Sequence, residues 1–349
     1  MVGPGVIADR ALLSEVAEHE FGALGVPGTV VHVADARALG EAIGDGVCVV
    51  AVPGPQPEVR ALMAEEHGPV VWLDLARDDG ISPGVGATHL HGRGIAGLTW
   101  AIRHALHRLD HPSRRIPYGR ESDQWGDLYL PDEAGPLPVI ALVHGGYWRS
   151  VWAADLMEAL AADLVGRGFA VWNLEYRRPD LHGWDATVAD LASGLAALAG
   201  AEAPLDLDRV AVAGHSAGGQ LALRAAADGA RVALAVSLAG VADLAEGDRR
   251  WLSSGAVAAA LGGPEAYTPG VYGAASPLAR LPLKVRQLIV QGSGDDLDLV
   301  DFSRRYARAA AASGDVVTYL EMSGDHFAVI DPATPIWRTT AVAISDALR

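Results

Sequence analysis

The stretch Val210-Ala211-Val212-Ala213-Gly214-His215-Ser216-Ala217-Gly218-Gly219-Gln220-Leu221 decides how this chain is read. Its first four residues form a short apolar run of the kind that makes a buried strand. Gln220, Leu221, Leu223 and Ala226 then open a helical pattern. Ser216 stands between the two, with a glycine two residues to either side. A serine at so sharp a strand-to-helix turn takes an unfavourable backbone conformation, and flanking glycines let the turn close. The turn lifts the hydroxyl above the strand ends. There the helix N-terminus aims backbone N–H groups at any negative charge that develops. Ser216 is therefore the candidate nucleophile, and the N–H of Ala217 a candidate oxyanion donor.

Upstream, the run Val139 to Val143 ends in His144-Gly145-Gly146-Tyr147-Trp148. Two glycines after a strand can turn their N–H groups into the space above the sheet, where a carbonyl oxygen under attack would sit. Gly145 and Gly146 are the further oxyanion candidates. A nucleophilic serine needs a base, and the base needs an orienting acid. The only histidine downstream of Ser216 is His326, after the last strand pattern, Val316 to Glu321. The acid belongs after the preceding strand, where the chain reads Gly292-Ser293-Gly294-Asp295-Asp296-Leu297-Asp298. Asp295 ends the tightest turn and is the first choice, with Asp296 and Asp298 as alternatives. The order Ser216, Asp295, His326 is that of the α/β-hydrolase fold.

Working outward, strand and helix patterns alternate from Asp127 to the C-terminus, which predicts a mostly parallel sheet flanked by helices over 127–349. The Gly-, Ala- and Pro-rich piece at about 246–276 breaks the rhythm and reads as a lid-like insertion. Residues 111–126 are polar, with Pro112 and Pro117, and read as a linker. Before them, residues 1–110 alternate again. Helices are expected at Ala8–Leu24, Asp35–Ile43, Glu58–Glu66 and Ile95–Leu109, and strands at Thr29–Val33, Val47–Val52, Pro69–Leu73 and Ala87–Leu90. This predicts a small flavodoxin-like α/β domain without catalytic function.

Composition narrows the partners. Acidic residues outnumber basic ones 43 to 27, giving a formal charge of −16. Such a field repels nucleic acid and anionic membrane, so neither is expected to bind. Cys48 is the single cysteine, which excludes an internal disulfide and a cysteine-based zinc site. Within Val47-Cys48-Val49-Val50 its thiol is expected to be buried and structural. No signal peptide is read at the start. The longest apolar stretch, Val232 to Ala242, is about half of the roughly 20 residues a membrane span needs. A cytoplasmic protein is expected, with a homodimer left open. His104, His107 and His111 share a helix face and read as a solvated helix end rather than a metal site.

From about Tyr118 onward the chain resembles α/β-hydrolases of the esterase group related to hormone-sensitive lipase. The motif His144 to Trp148 is most similar to that of kynurenine formamidases (arylformamidases). Tyr176-Arg177-Arg178, Gly183-Trp184, and His326-Phe327 with Ile330-Asp331-Pro332 also fit that group. Pro69 to Leu75 and His91 to Leu98 resemble part of the type II 3-dehydroquinate dehydratases. The first resemblance implies a serine-dependent hydrolase of small esters or activated amides, working through an acyl-enzyme without metal or organic cofactor. The alternative is an acyltransferase or other non-hydrolytic member of the fold, with the N-terminal domain as an interaction module. Tyr147, Trp148, Arg149, Trp184, Trp251 and His215 are the candidates for holding substrate.

Overall fold

The computed structural model describes residues 1–44, 46, 48–133 and 135–349. The chain divides into two compact units, Met1–Pro112 and Ser113–Arg349.

The first unit runs α1 (Arg10–Leu24), α2 (Ala36–Gly44), β1 (Val49–Ala51), α3 (Pro57–Leu62), β2 (Val70–Asp74), β3 (Thr88–His91) and α4 (Gly97–Asp110). Its three strands pair in parallel in the order β1-β2-β3. Alternate residues of β2 serve opposite faces. Val71 and Leu73 join Leu13, Leu98 and Ile102 of α1 and α4, while Val70 and Trp72 join Leu39, Ile43 and Val59 of α2 and α3. A strand covered on both sides must be apolar at every position, which is why β2 was legible as a continuous run.

Two expectations fail here. Thr29–Val33 forms no strand: Val2 makes single parallel bridges to His32 and to Val52. Among the described residues the sheet therefore stays at three strands rather than the five of a flavodoxin-like order. Cys48 is exposed, not buried, because it precedes the first paired residue of β1. Val47, which was expected to begin that strand, lies outside the described residues.

The second unit begins with β4 (Arg114–Pro117), β5 (Trp125–Tyr129), β6 (Leu137–Val143), α5 (Glu158–Val165) and β7 (Ala170–Leu174). It continues with α6 (Pro179–His182), α7 (Trp184–Ala196), β8 (Leu205–His215), α8 (Ala217–Ala227) and β9 (Leu234–Leu238). The insertion then supplies α9 (Leu244–Arg249), α10 (Ala256–Leu261) and α11 (Pro269–Ala275). The chain ends with β10 (Arg286–Gly292), α12 (Leu297–Ala312), β11 (Val317–Met322) and α13 (Pro335–Leu348). The eight strands lie in the order β11-β10-β9-β8-β6-β7-β5-β4. Only β4 and β5 run antiparallel to their neighbours. The order reverses at β6, which pairs with β8 on one side and β7 on the other. Ligand sites of such sheets open beyond the strand C-termini at this switch point.

The expected linker is in part structure. Arg114–Pro117 forms the edge strand β4, which hides in a polar stretch because an edge strand at the surface needs no apolar run. Arg115 secures it with two hydrogen bonds to Asp127, at 2.9 and 2.8 Å. The same guanidinium lies over the Trp125 ring, 3.4 Å from its centroid.

Candidate active site

Ser216 follows β8 and opens α8, with φ 55° and ψ −118°. Side chains rarely tolerate this conformation. It persists because the turn is closed from all sides. The Ser216 N–H donates to the Leu238 carbonyl of β9 at 2.8 Å, and the Ser216 carbonyl accepts from Gly219 and Gln220. The glycines are required by space. A Cβ on Gly214 would run into the carbonyl of Gly218, and one on Gly218 into those of Val143 and His144. The elbow thus presses α8 onto the end of β6.

The loop after β6 is held as tightly. A Cβ on Gly145 would stand 2.6 Å from the His215 carbonyl oxygen and 2.9 Å from the Ser216 Cβ. Gly146, Tyr147 and Trp148 all have positive φ, at 105°, 51° and 58°. The Gly145 carbonyl oxygen lies 2.8 Å from His144 Nδ1. Because the peptide is planar and trans, fixing that oxygen turns the Gly146 N–H to the opposite side. His144 Nε2 lies 3.0 Å from Glu175 Oε1. Glu175 also accepts from the N–H groups of Ala154 and Tyr176, and pairs with Arg178. Burial alone would raise the Glu175 pKa, but Arg178, His144 and these hydrogen bonds hold it down at about 2. A buried, fully hydrogen-bonded carboxylate therefore anchors the loop. The N–H groups of Gly145, Gly146 and Ala217 have no acceptor among the described residues.

Asp295 and His326 come together from the loops after β10 and β11. Asp295 Oδ2 accepts from His326 Nδ1 at 2.8 Å and from Gln291 Nε2 at 2.9 Å. Its Oδ1 accepts from the Asp296 N–H at 2.7 Å. Gln291 is itself fixed by Ser303, whose hydroxyl donates to Gln291 Oε1 at 2.8 Å. Burial pushes Asp295 up, but the His326 hydrogen bond and charge, with the two N–H donors, hold it below the ordinary carboxylate range. The alternatives are occupied elsewhere. Asp296 caps α12 by accepting from the Asp298 N–H, and Asp298 accepts from Arg250.

His215 is placed otherwise than expected. It is buried, with Nε2 2.9 Å from the carbonyl oxygen of His326 and its ring 4.6 Å from the His326 ring. Burial, then the neighbouring His326, lower its pKa to about 3. From this buried position it holds the backbone of the His326 loop. Trp148 and Trp184 are likewise core residues. Trp148 gives its indole N–H to Gln220 at 3.0 Å, and Trp184 packs edge-on against it at 6.4 Å. Arg149 is exposed and donates to the Ser253 carbonyl of the insertion at 3.0 Å. Trp251, in the insertion, is 67% exposed.

Tyr147 is half-buried, and burial, then Asp296 and Asp295, raise its pKa. Trp152, which packs on Gly146, is half-buried too. Phe327, which was not among the expected substrate-binding residues, lies beside His326. It is 45% exposed, with its ring 5.5 Å from that of His326. An apolar residue directly after the candidate base was the available signal. Among the described residues, no three His, Cys, Asp or Glu side chains group to hold a metal ion. Among the described residues, no helix is long and apolar enough to cross a membrane.

A sheet of this order, with a strained serine elbow at its switch point, defines the α/β-hydrolase fold. The comparisons agree. A truncated carbohydrate esterase from gut microbiota superposes with a TM-score of 0.61 at 19% identity, over 68% of this chain and 96% of that one. Two sequence relatives are each 34% identical. One is named "Hydrolase LUC6", from a Fusarium species, matched over 37% of this chain and 33% of its own length. The other, from Arabidopsis thaliana, is named "Probable isoprenylcysteine alpha-carbonyl methylesterase ICMEL1" and is matched over 31% of this chain and 23% of its own length. The chain thus spans a third or less of these relatives. The family model BD-FAE matches residues 126–304, more than half of the chain. The protein belongs to this family of hormone-sensitive-lipase-like α/β-hydrolases.

Proposed function

We propose that the protein is a serine-dependent hydrolase of small carboxylic esters. The reading rests above all on the 2.8 Å bond between Asp295 and His326, at the strand ends that also carry the Ser216 elbow. Ser216 Oγ attacks the ester carbonyl while His326 takes its proton. The tetrahedral oxyanion is held by the N–H groups of Gly145, Gly146 and Ala217. The intermediate collapses as the departing alkoxide takes the proton back from His326, leaving an acyl-serine. Water, deprotonated by His326, then releases the acid. Asp295, ionised throughout, keeps His326 in the tautomer with Nε2 free to accept, and stabilises its charged form.

The names of the relatives, a methylesterase and a carbohydrate esterase, favour an ester over an amide. The resemblance to arylformamidases adds N-formyl aryl amides as candidate substrates. Tyr147, Trp152 and Phe327, partly exposed aromatic residues on the loops that carry the glycine pair and His326, would receive an apolar acyl or alcohol group. Arg149 and Trp251 remain candidates as well.

The test combines Ser216→Ala with a substrate panel. The variant should lose about 10⁴- to 10⁶-fold in kcat while keeping its fold, and a fluorophosphonate should label the native protein at Ser216 alone. Full activity in the variant would overturn the assignment. Hydrolysis of p-nitrophenyl acetate or butyrate well above that of N-formylkynurenine supports the ester reading, and the reverse ranking replaces it with the formamidase one.

A further inference from the structure

Helices α7 and α8 leave a cavity of about 460 Å³ between them. It lies toward the start of β8, beside Leu207 and Val210, at the end of that strand away from Ser216. The walls are mainly aliphatic, with Leu191, Leu195, Leu221 and Val232 prominent. Its volume falls within the usual range for small-molecule sites.

Arg224 of α8 lines this cavity, with its side chain 12% exposed. Its Nε and Nη1 are shut off from solvent and make no hydrogen bond. The nearest acid is Asp228, whose Oδ2 lies 3.3 Å from Arg224 Nε. That carboxylate is shared, for its Oδ1 accepts from Arg280 at 2.9 Å. Asp228 thus serves two guanidinium groups, of which Arg280 also donates to the carbonyls of Ala274 and Ala227. Asp185 acts on Arg224 only at longer range, and Arg231 at the rim is engaged by Asp208. The Trp184 ring, 5.7 Å from the guanidinium carbon, adds a weaker partner. A cation buried among aliphatic side chains and short of acceptors is costly. Burial, ahead of the charges around it, draws Arg224 below the ordinary guanidinium range.

We propose that this cavity binds an amphiphilic monocarboxylate of the fatty-acid type, its carboxylate on Arg224 and its hydrocarbon tail between α7 and α8. The head group meets Nη2, the remaining nitrogen of Arg224, as a second carboxylate partner beside Asp228, and the tail covers the aliphatic walls. A neutral lipid leaves the cation uncompensated, and a short acid leaves the walls wet. The site is separate from the Ser216 elbow and does not depend on the reaction assigned there.

Decanoate titrated into the full-length protein by calorimetry tests this, with acetate and decanol as the head-only and tail-only controls. Decanoate should bind saturably at one site, with both controls weaker by about tenfold or more. Arg224→Met keeps an unbranched side chain and removes the charge. It should weaken decanoate about tenfold or more and leave decanol unchanged. Should that variant fail to fold by circular dichroism, Ala192→Trp at the cavity wall fills the space and should abolish decanoate binding. The absence of saturable decanoate binding overturns the proposal. So does decanol binding as tightly as decanoate, or decanoate binding that neither variant changes. Protein that instead dimerises with concentration and ignores decanoate assigns the surface to a second copy.

Discussion

Ser216 carries a backbone conformation that costs on the order of 1–3 kcal/mol. The surrounding glycines and the hydrogen bond to Leu238 hold it there. The same over-determination marks Asp295, whose two oxygens meet three donors. Asp295→Asn should leave this geometry largely intact but favour the wrong tautomer of His326. We expect kcat to fall about 10³- to 10⁴-fold with little change in KM. A fall of less than tenfold, measured on p-nitrophenyl butyrate, would remove Asp295 from the mechanism. His215 makes a prediction about pH. Its pKa drops from 6.5 to about 3 on folding, so between these values the unfolded chain holds the extra proton. Its contribution to stability is complete above about pH 6.5 and is lost as pH falls toward 3. Urea midpoints of wild type and His215→Asn should therefore diverge at pH 7.5 and converge toward pH 4.5. A constant gap would contradict the assignment. At this scale Ser216, Asp295 and His326 could be proposed from the sequence because chemistry prescribes residue type and chain order. Gln291 and Ser303, which orient Asp295, were not, since buried hydrogen-bond partners leave no periodic signature.

Among the elements, α8 does more than present the serine. Gln220, buried on its first turns, accepts from the Trp148 indole and donates to the Ala275 carbonyl at 2.9 Å. It thereby joins the loop after β6, the elbow helix and α11 of the insertion. Gln220→Leu leaves a buried N–H and a buried carbonyl unpaired, so roughly 2–4 kcal/mol of stability should be lost. Urea unfolding reads this directly, and a loss under 0.5 kcal/mol would mean that the three elements are held independently. The insertion itself is pinned at other points. Arg250 bridges it to Asp298 and Asp301 of α12, and Arg149 reaches the Ser253 carbonyl. The strands of the large sheet that are covered on both faces read as apolar runs, whereas β4 did not. Thr29–Val33 had strand-like composition without a strand, because β-branched residues fit a pleated surface only where a partner edge pairs along their length.

The whole molecule comprises two units that each bury a core of their own. The residues proposed for catalysis all belong to the second unit. A protein that begins at Ser113 should therefore fold alone and hydrolyse p-nitrophenyl butyrate with the kcat of the full chain. Circular dichroism and the assay test both parts. An aggregated fragment would deny the unit its independence, and a folded but inactive one would give the first unit a share in catalysis. The formal charge of −16 bears on encounter with other molecules. The oxyanion argument depends instead on a few backbone dipoles.

The sequence by itself determined the fold class and the order of the groups proposed to react. A serine elbow, a glycine pair after a strand, an acidic loop and a late histidine follow local rules of turn geometry and chemistry, and local rules are written residue by residue. The tertiary structure decided which of the aspartates at 295, 296 and 298 meets His326. It also buried Trp148, Trp184 and His215, and left Arg224 beside an aliphatic cavity short of acceptors. These outcomes depend on which distant side chains share a space and how completely water leaves it, which spacing along the chain does not encode.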